Sequence, residues 1–164
     1  MLKTGKDWMV LITCLLICHA AGAVGSLFTV ASIPLWYNTL VLPAFSPPNW
    51  VFGPVWTLLY TLMGIALYIV WRSRGGSVEK ARNRKWGLSV FGIQLVLNAL
   101  WSILFFGLRD PLYALVDIVL LLLFIIATIF FFYRVRPVAA YLLVPYVLWV
   151  GFATLLNYNI MVLN

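Results

Sequence analysis

The residues best suited to bind a ligand or take part in chemistry are aromatic and polar side chains that recur at every fourth position in apolar stretches. They form three series, which are Phe52, Trp56 and Tyr60; Gln94, Asn98 and Ser102; and Pro145, Trp149 and Ala153. Residues four apart lie on one face of a helix. Aromatic rings with a few amide groups are the usual surface for an apolar small molecule, so one interpretation is the wall of a ligand pocket. The alternatives are aromatic packing or lipid contact, and hydrogen bonding between helices for the polar series.

One acidic residue lies where the sequence is otherwise apolar. Asp117 is the single charged residue well inside an apolar stretch, and a carboxylate at bilayer depth costs at least ~2.5 kcal/mol. We therefore expect Asp117 to face the interior of a helix bundle, where it either pairs with Tyr113, Asn98 or Arg109 or stays protonated. Because it is alone, a structural pairing is favoured over a proton relay.

The remaining reactive side chains do not form a catalytic set. His19 is the single histidine, and a lone imidazole in an apolar run is more typical of a packed, hydrogen-bonded residue than of a metal ligand. The sequence offers no cluster of metal ligands, no nucleophile beside a base and no phosphate-binding loop. We therefore predict no metal and no cofactor, and enzymes that depend on acid–base catalysis are disfavoured.

The composition indicates what holds these residues in place. Of the 164 residues, 65% are hydrophobic and 9% are charged, whereas a soluble domain is nearer half apolar and a quarter charged. Several apolar runs approach or exceed the ~20 residues that a membrane-spanning helix needs, and they lack the alternation of a barrel strand. We predict an all-α membrane protein, a single five-helix domain over residues 1–164, with spans at about 8–33, 47–71, 86–106, 111–133 and 138–162.

Prolines and neighbouring residues predict how the second span begins. Ser46 is expected to be its N-cap, with Pro47 at the first helical position. Phe45 and Trp50 have the spacing of a hydrophobic staple across that cap. Pro54 would then lie in the second helical turn, remove a backbone hydrogen bond and bend the helix.

Two other helix starts carry signals of their own. Asp110 directly before Pro111 is predicted to be the N-cap of the fourth span. At the amino terminus, a basic start, an apolar run and the small residues 20–23 match a signal peptide. The apolar character continues to Ile33, so we expect a retained span instead.

Basic residues are distributed unevenly between the two sides of the predicted bundle. The chain has a net charge of +7, and ten of its eleven Lys and Arg residues, Lys3 among them, fall on the side of the amino terminus. Arg109 alone falls on the other side. The positive-inside rule then places the N-terminus in the cytoplasm and the C-terminus outside. Because the charges are confined to short segments and form no basic face, we predict no nucleic-acid partner.

Depth in the bundle brings the candidate pocket residues together. Trp56 lies about eight residues from the outer end of the second span, roughly 12 Å at 1.5 Å per residue. Asn98 is about as deep in the third span, Asp117 is somewhat shallower in the fourth, and Trp149 is nearest the middle of the membrane. We expect them to converge in the outer half of the bundle, beneath the uncharged loop with Trp36 and Tyr37, which would act as a lid.

Three segments resemble the translocator protein family, also called tryptophan-rich sensory proteins or peripheral benzodiazepine receptors. They are WYNTLVLPAFSPPNWVFGPVWTLLY (36–60), LNALWSILFFGLRDPLYALVDI (97–118) and PYVLWVGFATLLNYNI (145–160). The resemblance implies a five-helix bundle, often dimeric, that binds porphyrins such as protoporphyrin IX, isoquinoline carboxamide and benzodiazepine drugs and, in some members, cholesterol. The ligand-binding residues that it implies are Tyr37, Pro47, Trp56, Asn98, Trp149 and Ala153.

The resemblance also bears on the alternatives. In some bacterial members the tryptophans that match Trp56 and Trp149 support light-dependent porphyrin breakdown. The cholesterol motif of animal members has a basic residue after the tyrosine near the end of the fifth span, but Tyr158 is followed by NIMVLN. We therefore predict a multi-pass protein of a prokaryotic cell membrane, with lipid around it and a homodimer as a possible partner state. It would act as a porphyrin sensor, carrier or scavenger, with porphyrin-degrading enzyme and lipid or sterol binding as the alternatives.

Overall fold

The computed structural model describes residues 5–164, which are helical apart from the connections between helices. Its helices are α1 Gly5–Ser32, α2 Phe52–Arg72, α3 Val78–Ser102, α4 Pro111–Val135, α5 Pro137–Tyr141 and α6 Val144–Leu163. Five helical stretches are long and apolar enough to cross a membrane. The prediction of an all-α bundle with five spans is confirmed. Lys3 lies outside the described residues, and the orientation across the membrane stays a prediction.

The second span begins later than the sequence predicted. The N-cap at Ser46 is wrong, because a short 3₁₀ turn at Asn49–Val51 precedes α2. Pro48 explains this, since the residue before a proline is held out of the helical region, and Pro48 itself is extended with ψ 143°. Pro54 consequently falls in the first turn of α2, where its missing N–H costs no helical hydrogen bond. The predicted proline bend is therefore also wrong.

The predicted hydrophobic staple does not form either. The ring of Phe45 contacts Phe152 of α6, with centroids 6.1 Å apart, and Trp50 is 74% exposed. Phe45 therefore packs against α6, and Trp50 lies exposed in the 3₁₀ turn before α2, so the two rings do not meet across a helix start.

The start of the fourth span is as predicted. The Asp110 carboxylate accepts hydrogen bonds from the backbone N–H groups of Leu112 and Tyr113, at 3.0 and 3.1 Å. Pro111 is the first residue of α4. This cap satisfies two backbone donors that a helix end leaves free.

Two irregular turns shape the membrane-spanning part of the bundle. A π-helical turn at Ile103–Gly107 extends α3, and a break at residues 142–143 divides the fifth span into α5 and α6. Pro145 is the second residue of α6, where a proline is tolerated. The π-helical turn places the rings of Phe105 and Phe106 against Tyr37 of the loop between α1 and α2.

Helix packing leaves one region of the bundle open. The most extensive helix contact is between α3 and α4, followed by that between α1 and α2. A Cβ on Gly64 would lie 2.9 Å from the Leu15 Cα, so glycine permits the close approach of α1 and α2 there. The larger buried cluster fills the half of the bundle nearer the 72–85 linker.

Charged contacts tie the helix ends together at the basic side. Arg72 at the end of α2 forms an ion pair with Asp7 in the first turn of α1. The Arg84 guanidinium of α3 donates hydrogen bonds to the carbonyls of Val70 and Trp71, at 3.1 and 2.8 Å. A cation on the last carbonyls of α2 also matches the helix dipole.

Candidate functional site

A cavity of about 580 Å³ lies between α1, α2, α3 and α6, at the end of the bundle away from the basic linker. Aromatic rings and small side chains make up most of its wall. The lining includes His19, Gly22, Ala23, Ser26, Tyr37, Phe52, Gly53, Trp56, Thr57, Tyr60, Asn98, Trp101, Ser102, Phe105, Trp149, Ala153 and Asn157. Its size and character are those of a small-molecule site.

Two tryptophans on different helices line this cavity. Trp56 of α2 stacks on Tyr60, with centroids 5.5 Å apart and an interplanar angle of 27°. Trp149 of α6 meets Phe52 edge to face at 5.9 Å. Its indole N–H is buried and makes no hydrogen bond within residues 5–164. The wall therefore combines broad aromatic surface with one spare hydrogen-bond donor.

The polar contacts of the cavity join three helices at its inner end. The Tyr60 hydroxyl donates to the Asn98 side-chain oxygen, and the Asn98 amide donates to the Tyr146 hydroxyl at 3.0 Å. Asn98 is 3% exposed, so these bonds are shielded from water. Asn98 thus combines both predicted roles, because it links helices and also lines the cavity.

The loop between α1 and α2 covers the opposite end of the cavity. Tyr37 is buried, and its ring lies 6.4 Å from Phe105 and 5.7 Å from Phe106 between centroids. Burial raises the pKa of the Tyr37 phenol, so the group stays a neutral donor. The Asn164 side chain fixes this loop to the end of α6, since it bonds both the N–H and the carbonyl of Val41 at 2.9 and 3.1 Å.

A second aromatic wall comes from α3 and its π-helical turn. Trp101 stacks on Phe105 with centroids 5.2 Å apart, and its indole N–H donates to the Asn157 side-chain oxygen at 3.0 Å. The Asn157 amide in turn donates to the Pro111 carbonyl at 2.8 Å. These bonds fix the ring orientation of Trp101.

The cavity is exposed on the side formed by α1 and the start of α2. Ala23 and Ser26 of α1 and Gly53 and Thr57 of α2 are exposed, whereas the lining residues of α3 and α6 are buried or half-buried. The opening of the cavity therefore lies between α1 and α2. In a bilayer this side of a membrane-spanning bundle meets lipid.

The predicted site residues divide into two groups. Tyr37, Trp56, Asn98, Trp149 and Ala153 all line the one cavity. Pro47 is half-buried in the loop and does not belong to the lining. Pro47 stays outside the lining for the same reason that α2 begins late. The residue before Pro48 is held out of the helical region, so Pro47 remains in the extended segment before α2.

Asp117 faces the interior as predicted, but its predicted partners do not reach it. The side chain is 4% exposed, and within residues 5–164 one carboxylate oxygen has no hydrogen-bond partner. Tyr113 is 62% exposed on the outer face of α4, the amide of Asn98 is engaged by two tyrosines, and Arg109 lies in an exposed turn with φ 56°. The prediction that Asp117 converges with Trp56, Asn98 and Trp149 is wrong, because no residue of α4 lines the cavity.

The polar stripe of α3 is only partly a bridge between helices. Gln94 is fully buried, but neither of its amide atoms has a partner within the described residues. Ser102 lies against Gly25 of α1, where an added Cβ would come within 2.8 Å of the Ser102 hydroxyl. Gln94, Asn98 and Ser102 therefore face the interior of the bundle, but they do not form a continuous line of hydrogen bonds between helices.

Several lining residues were not among the predicted ligand-binding residues. His19 lines the cavity and its Nε2 lies 3.2 Å from the Thr61 hydroxyl, which fits the predicted packed histidine. Asn157 continues the series of Trp149 and Ala153 at the same four-residue spacing, so extending the pattern by one turn would have found it. Gly22 carried no such signal.

Comparison with known proteins adds an independent finding. Residues 14–163 match the model of the TspO/MBR family. A tryptophan-rich protein TspO of Chlorobaculum tepidum is 46% identical over 159 residues, covering 97% of this chain and 98% of the relative. One of Archaeoglobus fulgidus is 46% identical over 154 residues, covering 94% and 96%. The human translocator protein is 44% identical over 135 residues, covering 82% and 78%.

Proposed function

This chain belongs to the TspO/MBR family of multi-pass membrane proteins, and we propose on that premise that it binds a porphyrin such as protoporphyrin IX in the aromatic cavity. It would act there as a tetrapyrrole sensor, carrier or scavenger. The observation that carries the proposal is that Trp56 and Trp149, from two separate helices, line a single roofed cavity. Flat apolar rings stack favourably on such walls.

The shape and polarity of the cavity support a flat, mostly apolar ligand. Its volume of about 580 Å³ is within the range of small-molecule sites. The aromatic pairs Trp56–Tyr60 and Trp101–Phe105 are both stacked and are held by hydrogen bonds to Asn98 and Asn157. A wall fixed in this way loses little conformational entropy when a ligand binds, which favours affinity.

The opening between α1 and α2 supports entry from the membrane. A porphyrin partitions into lipid, and the exposed rim of the cavity carries small residues such as Ala23 and Gly53 that leave room for a ring edge. The spare indole N–H of Trp149 would offset part of the cost of burying a carboxylate of protoporphyrin.

The experiment is an absorbance titration of the detergent-solubilised protein with protoporphyrin IX in the dark. We expect saturable binding with one porphyrin per chain, weakened by Trp56→Ala or Trp149→Ala. Trp50→Ala is the matched control, since this tryptophan is 74% exposed in the adjoining loop and does not line the cavity. Non-saturable uptake, or an equal effect of all three variants, would contradict the proposal.

A second candidate function is porphyrin breakdown under light and oxygen. It is favoured by the same pair of indoles, because a photosensitiser bound in the cavity would lie beside oxidisable rings that need no acid–base partner. Illumination of the saturated complex separates the two functions. An enzyme should consume the porphyrin, and Trp56→Phe or Trp149→Phe should slow consumption more than it weakens dark binding, whereas a carrier returns the porphyrin unchanged.

A further inference from the structure

We propose that a groove on the outer face of α4, beside the break between α5 and α6, binds one anionic glycerophospholipid. The phosphate would lie at Arg134, and an acyl chain would lie along α4. This site is separate from the aromatic cavity and does not depend on the porphyrin proposal. It is at the other end of the bundle, the end that carries the basic linker.

The groove has the form of an acyl-chain site. It has a volume of about 640 Å³, with Ile126, Ile129 and Phe130 of α4 on one side and Ala140 and Val144 on the other. From residue 126 to residue 134 it runs roughly 12 Å along the helix. The groove exists because residues 142–143 separate α5 from α6, and because the small side chain of the buried Ala140 leaves space beside α4.

A basic side chain, Arg134, lies at the mouth of this groove. The guanidinium carbon of Arg134 lies 5.1 Å from the centroid of the Phe130 ring, a cation–π contact that holds it over the apolar lining. Three other arginines at this end are engaged, since Arg84 binds two carbonyls, Arg136 lies 3.4 Å from the Ser73 hydroxyl and Arg72 pairs with Asp7. Within residues 5–164 the Arg134 guanidinium forms no hydrogen bond or ion pair.

Two tyrosines place the mouth at the depth of lipid headgroups. The rings of Tyr133 and Tyr141 meet edge to face at 6.2 Å, and both are at least half-exposed at the end of their helices. Tyrosine at this position is typical of the membrane–water interface. A phosphate at Arg134 would therefore lie at its natural depth, with both phenol groups as further donors.

The charge around the groove favours an anionic lipid over a second copy of the chain. The chain has four acidic residues against eleven basic ones. Asp7 is paired with Arg72, Asp110 caps the far end of α4, and Asp117 is buried. Glu79 is exposed in the first turn of α3 at this end, but the basic residues of the same linker outnumber it. A second copy would thus bring its own positive charge to this end, whereas a basic pocket between helices is the usual site for an anionic headgroup.

The experiment is native mass spectrometry of the full chain with equal amounts of phosphatidylglycerol and phosphatidylcholine of the same acyl chains. Wild type should retain one phosphatidylglycerol in preference to phosphatidylcholine. Arg134→Gln should lower that preference about fivefold, the effect of one basic residue near a lipid surface. Arg74→Gln is the matched control, because it removes the same charge from the exposed linker at the same end.

A second variant tests the apolar part of the groove. Val144→Trp fills it from an exposed position at the start of α6, and it should reduce retention of both lipids while Arg134 is intact. The proposal is overturned if Arg134→Gln and Arg74→Gln have equal effects, since the preference then reflects overall charge. It is also overturned if Val144→Trp leaves lipid retention unchanged. Conversion of a dimer to a monomer by this variant would then show that the groove is covered by a second copy.

Discussion

The contact between α1 and Tyr60 yields a quantitative prediction for Gly22→Ala. A Cβ on Gly22 would lie 2.7 Å from Cδ2 and 2.9 Å from Cζ of the Tyr60 ring, so the ring must move. Tyr60 is stacked on Trp56 and bonded to Asn98, and movement disturbs one contact or the other. Because this wall lines the cavity, the substitution should affect both stability and ligand binding.

The magnitude follows from opposing contributions. Overpacking of a well-packed site costs about 1–3 kcal/mol, and replacing glycine by alanine within a helix returns about 1 kcal/mol. The free energy of unfolding should therefore fall by roughly 0–2 kcal/mol. Loss of one aromatic contact, worth about 0.5–1.5 kcal/mol, should weaken porphyrin binding by roughly two- to twelvefold.

The assay pairs thermal unfolding in detergent with the dark porphyrin titration. Gly53→Ala is the matched control, because Gly53 also lines the cavity but an added Cβ meets no atom within 4 Å. We expect Gly53→Ala to keep wild-type affinity and to be at least as stable as wild type. The reasoning is refuted if Gly22→Ala keeps wild-type affinity and unfolding temperature, or if both glycine variants lose affinity to the same degree.

Three further substitutions test the contacts that position the helices, each by the free energy of unfolding. Asn98→Ala removes the two interhelical bonds at the cavity, at about 0.6 kcal/mol each in membranes, so a loss of roughly 1 kcal/mol is expected; an unchanged stability would mean that these bonds do not hold the wall. Arg72→Gln removes the ion pair between Arg72 and the buried Asp7 carboxylate and should cost about 1–3 kcal/mol; an equal effect of Arg74→Gln would attribute the loss to general charge. Asp110→Ala removes the N-cap of α4 and should cost about 1 kcal/mol, with Asp110→Asn close to wild type; equal losses from the two would contradict a capping role.

Local signals with a single physical outcome could be predicted from the sequence. Asp110 before Pro111 caps a helix in any context, and the structure has that cap. Trp56, Asn98 and Trp149 could be placed together because helical rise converts sequence position into depth. Their side chains do line one cavity.

Features that depend on neighbouring elements could not be predicted. Pro47 alone predicts a helix that begins at that residue. The following Pro48 holds Pro47 out of the helical region, and α2 begins at Phe52. The π-helical turn at Ile103–Gly107 has no local signature, yet it places Phe105 on the cavity wall. Asp117 was correctly placed inside, but its partner could not be chosen, because partner geometry is set by helix rotation and not by spacing.

The central claim is that a porphyrin occupies the cavity itself, and filling the cavity tests this most directly. Ala153 is 8% exposed and lines the cavity, while Leu155 on the same helix is 60% exposed and does not. Dark titration with protoporphyrin IX should show saturable one-site binding for wild type and for Leu155→Trp, and none for Ala153→Trp, with all three proteins unfolding at similar temperatures. Wild-type affinity in a folded Ala153→Trp protein would contradict the account, because the porphyrin would then bind elsewhere.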